Sequence, residues 1–167
     1  LLLATIAFLI LFPVFIVCAL ALSIANQGSP FFFQTRPGKN EQLFRIIKFK
    51  TMNDKKDKQG NLLPDAARLT KIGSFVRKTS LDELPQLISV LKGDMSIVGP
   101  RPALFNQIDL IEFRKDKGLE ELMPGITGWA QVNGRDGLSI VDKVKLDEEY
   151  KNHQSLLFDL KIIWLTF

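Results

Sequence analysis

The sequence predicts an α+β protein, mainly helical with a small β element, opened by a membrane-seeking helix. Three observations predict it. An uncharged apolar run fills Leu1 to Ala25. The stretch LFRIIKFKTM at 43–52 is rich in β-branched and aromatic residues with partial alternation, which reads as a strand. Most of the chain beyond residue 65 carries apolar residues at helical spacing between turns rich in Gly and Pro. The length of 167 residues suits one compact domain plus a membrane element, with the division expected at 1–27 and 28–167.

The opening run contains only Thr5 and Ser23 as polar residues. Roughly 20 apolar residues suffice to span a bilayer as a helix. No basic region precedes the run, and it is long, so a cleavable signal peptide fits poorly. Pro13 stands in its middle, where it removes a backbone hydrogen bond and crowds the preceding turn. Each half would be about 18 Å long at helical rise, too short to cross alone. Two geometries remain open from the residues: a kinked span, or a helix–break–helix that enters and leaves one leaflet.

NQGSP at 26–30 ends the run as a turn cluster. Phe31, Phe32 and Phe33 come next, beside Arg36, which suits a bilayer interface or a core. The strand of 43–52 is succeeded by a polar loop over 53–65. A helix or helix-turn is expected over 66–76 and a helix over 81–91. Residues 93–102 read as turn, short strand and turn. Residues 102–113 read as a helix with Leu104, Phe105, Ile108 and Ile111 on one stripe. PGITGWAQVNGRDG at 124–137 is glycine-rich with a short strand near 129–132. Helices are expected over 141–150 and 155–167. The last has only Asp159 and Lys161 as charges and is too short to cross, so it reads as an interfacial or core helix.

Composition excludes several chemistries. Cys18, the one cysteine, lies inside the apolar run, so no disulfide forms within the chain. His153 is the one histidine and sits in a polar stretch, which argues against a histidine-rich zinc site and a Ser–His–Asp triad. Carboxylates, lysines, arginines and a hard metal are left to do any chemistry. The first charged residue is Arg36, so the polar part carries the whole net charge of +4. That balance suits an anionic membrane surface or a phosphate-bearing substrate. Nucleic acid is not expected, because the aromatics lie in apolar runs and not among the basic residues.

The sharpest local pattern is Arg77-Lys78-Thr79-Ser80-Leu81-Asp82-Glu83. Ser80 to Glu83 fits a capping box, with Ser80 at the N-cap and Glu83 reaching back. The same residues also suit phosphoryl chemistry. An ionised Asp82 near Arg77 could attack phosphorus, and Glu83 could hold Mg²⁺ against phosphate oxygens. Arg101 stands between Pro100 and Pro102, which hold the backbone extended and pre-aim a guanidinium for phosphate. Lys48 and Lys50 share one strand face and either line a phosphate site or meet water. The glycine-rich loop would let backbone approach a ligand closely.

Four motifs occur in order: KFKTM at 48–52, RKTSLDELPQL at 77–87, LKGDMSIVGPRP at 91–102 and PGITGWAQVNGR at 124–135. Together they resemble the bacterial sugar transferase family, the monotopic phosphoglycosyl transferases of minimal size. The resemblance covers essentially the whole chain. It implies a re-entrant N-terminal helix broken at Pro13, although members often carry Ser-Pro there and this chain carries Phe12-Pro13. It implies interfacial amphipathic helices and a catalytic domain on the cytoplasmic face of a bacterial inner membrane. It makes Asp82 the nucleophile and Glu83 a Mg²⁺ ligand. It puts Arg77 and Arg101 on phosphate, Lys48 beside the reacting groups, Arg135 on the nucleotide side and Asp147 at a late acidic position near the site. The implied substrates are a UDP-sugar donor and a polyprenyl phosphate acceptor in membrane lipid, with UMP released. Oligomeric state stays open, a homo-oligomer included. Two rivals stay in view: a non-catalytic membrane-surface binding module, and a direct glycosyltransferase that would release UDP.

Overall fold

The structure is a computed structural model, and it describes residues 1–134 and 137–166. The chain opens with α1 (Leu2–Asn26), followed by the paired strands β1 (Phe31–Pro37) and β2 (Leu43–Phe49). Helices α2 (Asp65–Arg68), α3 (Lys71–Lys78) and α4 (Gln86–Lys92) come after them, with a 3-10 turn over Leu81–Glu83 between the last two. Then come β3 (Ser96–Val98), α5 (Ile108–Asp116), a 3-10 turn at Leu119–Glu121, β4 (Gly125–Thr127), α6 (Trp129–Val132), α7 (Ile140–His153) and α8 (Leu156–Thr166). The α+β class with predominant helix stands as expected.

By compactness the chain divides into two units, each discontinuous in sequence. The first holds 1–34 and 47–88, and the second holds 35–46 and 89–167. The turn at residues 26–30 does end α1, but α1 packs with α3 inside the first unit.

In the first unit, α1 is one continuous helix that runs through Pro13. Phe15, Cys18 and Leu22 form its buried stripe, at the spacing of one helix face. Phe15 meets Phe49 and Phe31 at ring-centroid distances of 5.1 and 5.9 Å. Around the proline, Phe12 stacks on Phe15 at 6.4 Å and meets Phe8 edge-on at 5.7 Å. Most of the remaining surface is bare: only 17% of its most apolar window is buried, and by length and composition the helix could cross a membrane. The loop after β2 is tied down. Lys50 pairs with Asp54, and Arg68 bonds the Asn53 carbonyl at 2.9 Å.

The second unit is built on a short parallel pair, with Ser96 opposite Gly125 and Val98 opposite Thr127. One apolar cluster joins Ala103, Leu110, Leu119 and Val144, and so seats α5 on α7. Another joins Val98, Tyr150 and Ile162, seating α8 on the strands. The hydroxyl of Tyr150 donates to Asp159 at 2.9 Å, and the hydroxyls of Thr127 and Thr166 bond at 2.8 Å. These bonds fix α8 by its inner face.

Several sequence expectations change. The helix expected over 81–91 is a 3-10 turn followed by α4, because Pro85 lacks the N–H that a continuous helix needs at that point. The segment 66–76 divides into α2 and α3 at Leu69, which is extended. The helix expected from 102 starts only at Ile108, so Leu104 and Phe105 lie outside it. Residues 129–132 are helical, and the strand of that motif is β4 just before. The glycines there approach protein backbone: a Cβ on Gly125 would lie 2.2 Å from the Gly99 nitrogen, and one on Gly128 would lie 2.1 Å from the Gly99 carbonyl oxygen.

Candidate active site

The Asp82–Glu83 pair sits in the 3-10 turn between α3 and α4. The chain reaches it through Ser80, which adopts a left-handed conformation (φ 55°). That conformation is costly for a residue with a Cβ. The capping box does not form: Ser80 makes no side-chain cap bond, and Glu83 turns instead to Lys48, at 2.7 Å. Lys48 and Glu83 are both mostly sheltered, 18% and 19% exposed, which strengthens their pairing over a surface ion pair. Lys50, two residues on, goes to Asp54 and not to the dyad.

Asp82 is held differently. Burial pushes its carboxyl above the usual aspartate range, and the neighbouring Glu83 pushes the same way. Lys48, its own backbone N–H and Arg77 pull against that shift without reversing it. Desolvation thus outweighs the pull of Lys48 and Arg77.

Arg77 is aimed by α3. Gly73 and Arg77, four residues apart, share a face of that helix. A Cβ on Gly73 would fall 1.9 Å from the Thr51 carbonyl oxygen, so only glycine admits this contact. One turn later the Arg77 guanidinium donates to the Thr51 hydroxyl at 2.7 Å. Thr51 is 4% exposed. KFKTM thus supplies Lys48 to Glu83, and Thr51 as the rest for Arg77.

Arg101 and Asp147 belong to the second unit. Arg101 is exposed between two buried prolines. Asp147 is buried in α7 and paired with Arg114 at 2.7 Å. Burial pushes its carboxyl upward, with Arg114 opposing. Arg135 lies outside the described residues. Sequence reading passed over Thr51, Arg36 and Arg114. A glycine inside the α3 pattern was the one signal of a close backbone approach near Thr51, and the two arginines carry no local signature.

The donor set is hard oxygen from two adjacent carboxylates. Among the described residues no group of three or more His, Cys, Asp or Glu gathers to hold a metal ion. Mg²⁺ is commonly held by one or two carboxylates together with substrate phosphates, and the dyad fits that mode. Glu83 would then exchange Lys48 for the cation.

A half-buried carboxylate dyad flanked by lysine and arginine lies in a chain that also carries a bare apolar helix. The bacterial sugar transferase family profile matches residues 1–167, and the chain belongs to that family. A Bacillus subtilis protein named uncharacterized sugar transferase EpsL is 50% identical over 154 residues, covering 92% of this chain and 76% of the relative. The UDP-glucose:undecaprenyl-phosphate glucose-1-phosphate transferase of Escherichia coli K12 is 42% identical over 175 residues, 98% of this chain but 37% of the relative. The Streptococcus agalactiae galactosyl transferase CpsE is 42% identical over 158 residues, 86% of this chain and 35% of the relative. The chain therefore spans about three quarters of the first relative and little more than a third of the other two.

Proposed function

We propose that this chain transfers a sugar-1-phosphate from a UDP-sugar to polyprenyl phosphate at a membrane, releasing UMP. The observation that carries the reading is the unequal treatment of the dyad. Lys48 ties Glu83 down, while Asp82 is left with its own backbone N–H and the field of Lys48 and Arg77. One carboxylate is positioned, and the other keeps its oxygens for a reaction. Family membership and the relative named for glucose-1-phosphate transfer to undecaprenyl phosphate support the same reaction.

In this scheme an Asp82 oxygen attacks the β-phosphorus of the donor, and the bond to the UMP oxygen breaks. Arg77 holds phosphate oxygens beside the dyad, and Arg101 keeps the phosphate-binding role that the family resemblance implies. The polyprenyl phosphate oxygen then attacks the phosphosugar on Asp82 and frees the carboxylate. Glu83 would hold Mg²⁺, whose chemistry when bound is to neutralise charge on the phosphate oxygens. The acceptor lies in lipid; α1, although unbroken at Pro13 in the structure, is proposed to bend there so that it enters and leaves the cytoplasmic leaflet and keeps Asp82 at the headgroup level. The exposed apolar face of α8, with Leu157 80% and Trp164 81% exposed, supports contact with lipid.

The test is UMP release across a panel of UDP-sugars in nanodiscs. Asp82→Asn should abolish release from donor alone, by about 10³-fold or more. Glu83→Gln should raise the Mg²⁺ concentration needed for half-maximal rate. Normal turnover by Asp82→Asn would end the covalent scheme. UDP as product would indicate direct glycosyl transfer, and no product with any donor would favour a binding module.

A further inference from the structure

The segment Pro100-Arg101-Pro102 has an unusual supply of hydrogen bonds. Its two prolines have no N–H, so Arg101 brings the segment's one backbone donor. Its carbonyls are held instead, all three in succession. The Gly125 N–H donates to the Pro100 carbonyl at 2.9 Å. Arg114 Nη1 donates to the Arg101 carbonyl at 2.9 Å. Arg36 Nη1 donates to the Pro102 carbonyl at 3.3 Å. Pro100 and Pro102 are buried, and the Arg101 side chain between them is exposed.

Arg114 is itself held. A single oxygen of Asp147, Oδ2, accepts from its Nε at 3.0 Å and its Nη2 at 2.7 Å. That fixes one edge of the planar fork and points the other edge at the Arg101 carbonyl. The pair stands over the apolar cluster that joins the two helices. Leu110 lies one turn before Arg114 on α5, and Val144 lies one turn before Asp147 on α7. The Asp147 side chain is 2% exposed and closed to a substrate, and that of Arg114 is 13% exposed, showing only an edge to the cavity it lines with Pro100 and Pro102. Burying such a pair adds little net stability compared with apolar residues of the same volume. Its distinctive contribution here is direction.

We propose that Asp147 and Arg114 are positioning residues for Arg101: the buried pair clamps the Arg101 carbonyl and so sets where its guanidinium meets a diphosphate. This rests on the phosphate role proposed for Arg101. It also reassigns Asp147, which acts through Arg114 and touches no substrate.

The test is a double-mutant cycle on the full chain in nanodiscs, with wild type, Asp147→Asn, Arg101→Ala and the double variant. Two readouts are taken: affinity for inorganic diphosphate by calorimetry, and UMP release. Asp147→Asn should weaken diphosphate binding roughly tenfold in the wild-type background, the size of a charge-assisted bond. It should change nothing further once Arg101→Ala is present, because the clamp then has nothing to aim. Arg114→Lys keeps the buried charge but cannot serve both partners, and should reproduce the loss if Asp147→Asn folds poorly. Equal losses in both backgrounds, no loss in either, or a wild type that binds no diphosphate would overturn the proposal. An intact coupling in diphosphate affinity without UMP release from any donor would instead overturn the transferase reading and leave the clamp standing.

Discussion

At the residue scale, Asp82 combines two demands that pull apart. Burial and Glu83 raise its affinity for a proton, and the nucleophilic role proposed for it needs the ionised form. The folded carboxyl holds its proton at higher pH than the unfolded one. Its contribution to stability is therefore present below the unfolded value and lost as pH rises through the folded value. Ionisation thus costs stability at neutral pH, and activity is lost on acidification earlier than for an ordinary aspartate. The acid limb of UMP release should lie above the usual aspartate range. Lys48→Met removes a charge that opposes the shift, so it should move that limb to still higher pH, read from rate–pH profiles of the two proteins. The dyad, Lys48 and Arg77 were legible as residue types in order along the chain. What the sequence could not show was the competition for Glu83, since capping and pairing with Lys48 use the same side chain. Nor could it show that Asp147 looks inward: an acidic run on a helix has the same letters whether it faces water or Arg114.

At the element scale, α3 carries the geometry. Gly73 brings Thr51 against the helix, and Arg77 collects the Thr51 hydroxyl one turn later. Gly73→Ala would force a Cβ into the Thr51 backbone, which has no flexible end to yield. The expected cost is about 3 kcal/mol. At this chain length that lowers the melting temperature by roughly 6–12 °C, measurable by scanning calorimetry, and donor affinity should fall with the displacement of Arg77. Helices with long periodic patterns, α7 and α8, were readable almost to their ends. The failures lie at Pro85, at Leu69 and around residues 102–107, where proline or an extended residue interrupts an apolar stripe that otherwise keeps helical spacing. Gly125 and Gly128 sit in the stretch read as a ligand loop. They instead let β4 and the residue beyond it approach the Gly99 backbone just after β3, which is decided by partners far apart in sequence.

At the scale of the molecule, the apolar surface is concentrated in α1 and in the outer face of α8. The two charges of α8 are occupied on the protein side, Asp159 by Tyr150 and Lys161 over the Trp129 ring at 5.1 Å from its centroid. A re-entrant α1 puts both ends of the helix on one side of the bilayer, and a span does not. In a Cys18→Ser background, an impermeant maleimide added on the cytoplasmic side should label both Leu2→Cys and Gln59→Cys. Labelling of Gln59→Cys alone in sealed vesicles would establish a span. The helix itself was plain from composition, but its path through lipid depends on how the groups freed at Pro13 are met, which no local pattern encodes. The interleaving of the two compact units has a different consequence. The chain passes from one to the other after residues 34, 46 and 88. A protease nicking the 53–65 loop would leave two fragments that each own part of both units. The pieces would stay associated until both units came apart, so a cut chain would still sediment as a whole one.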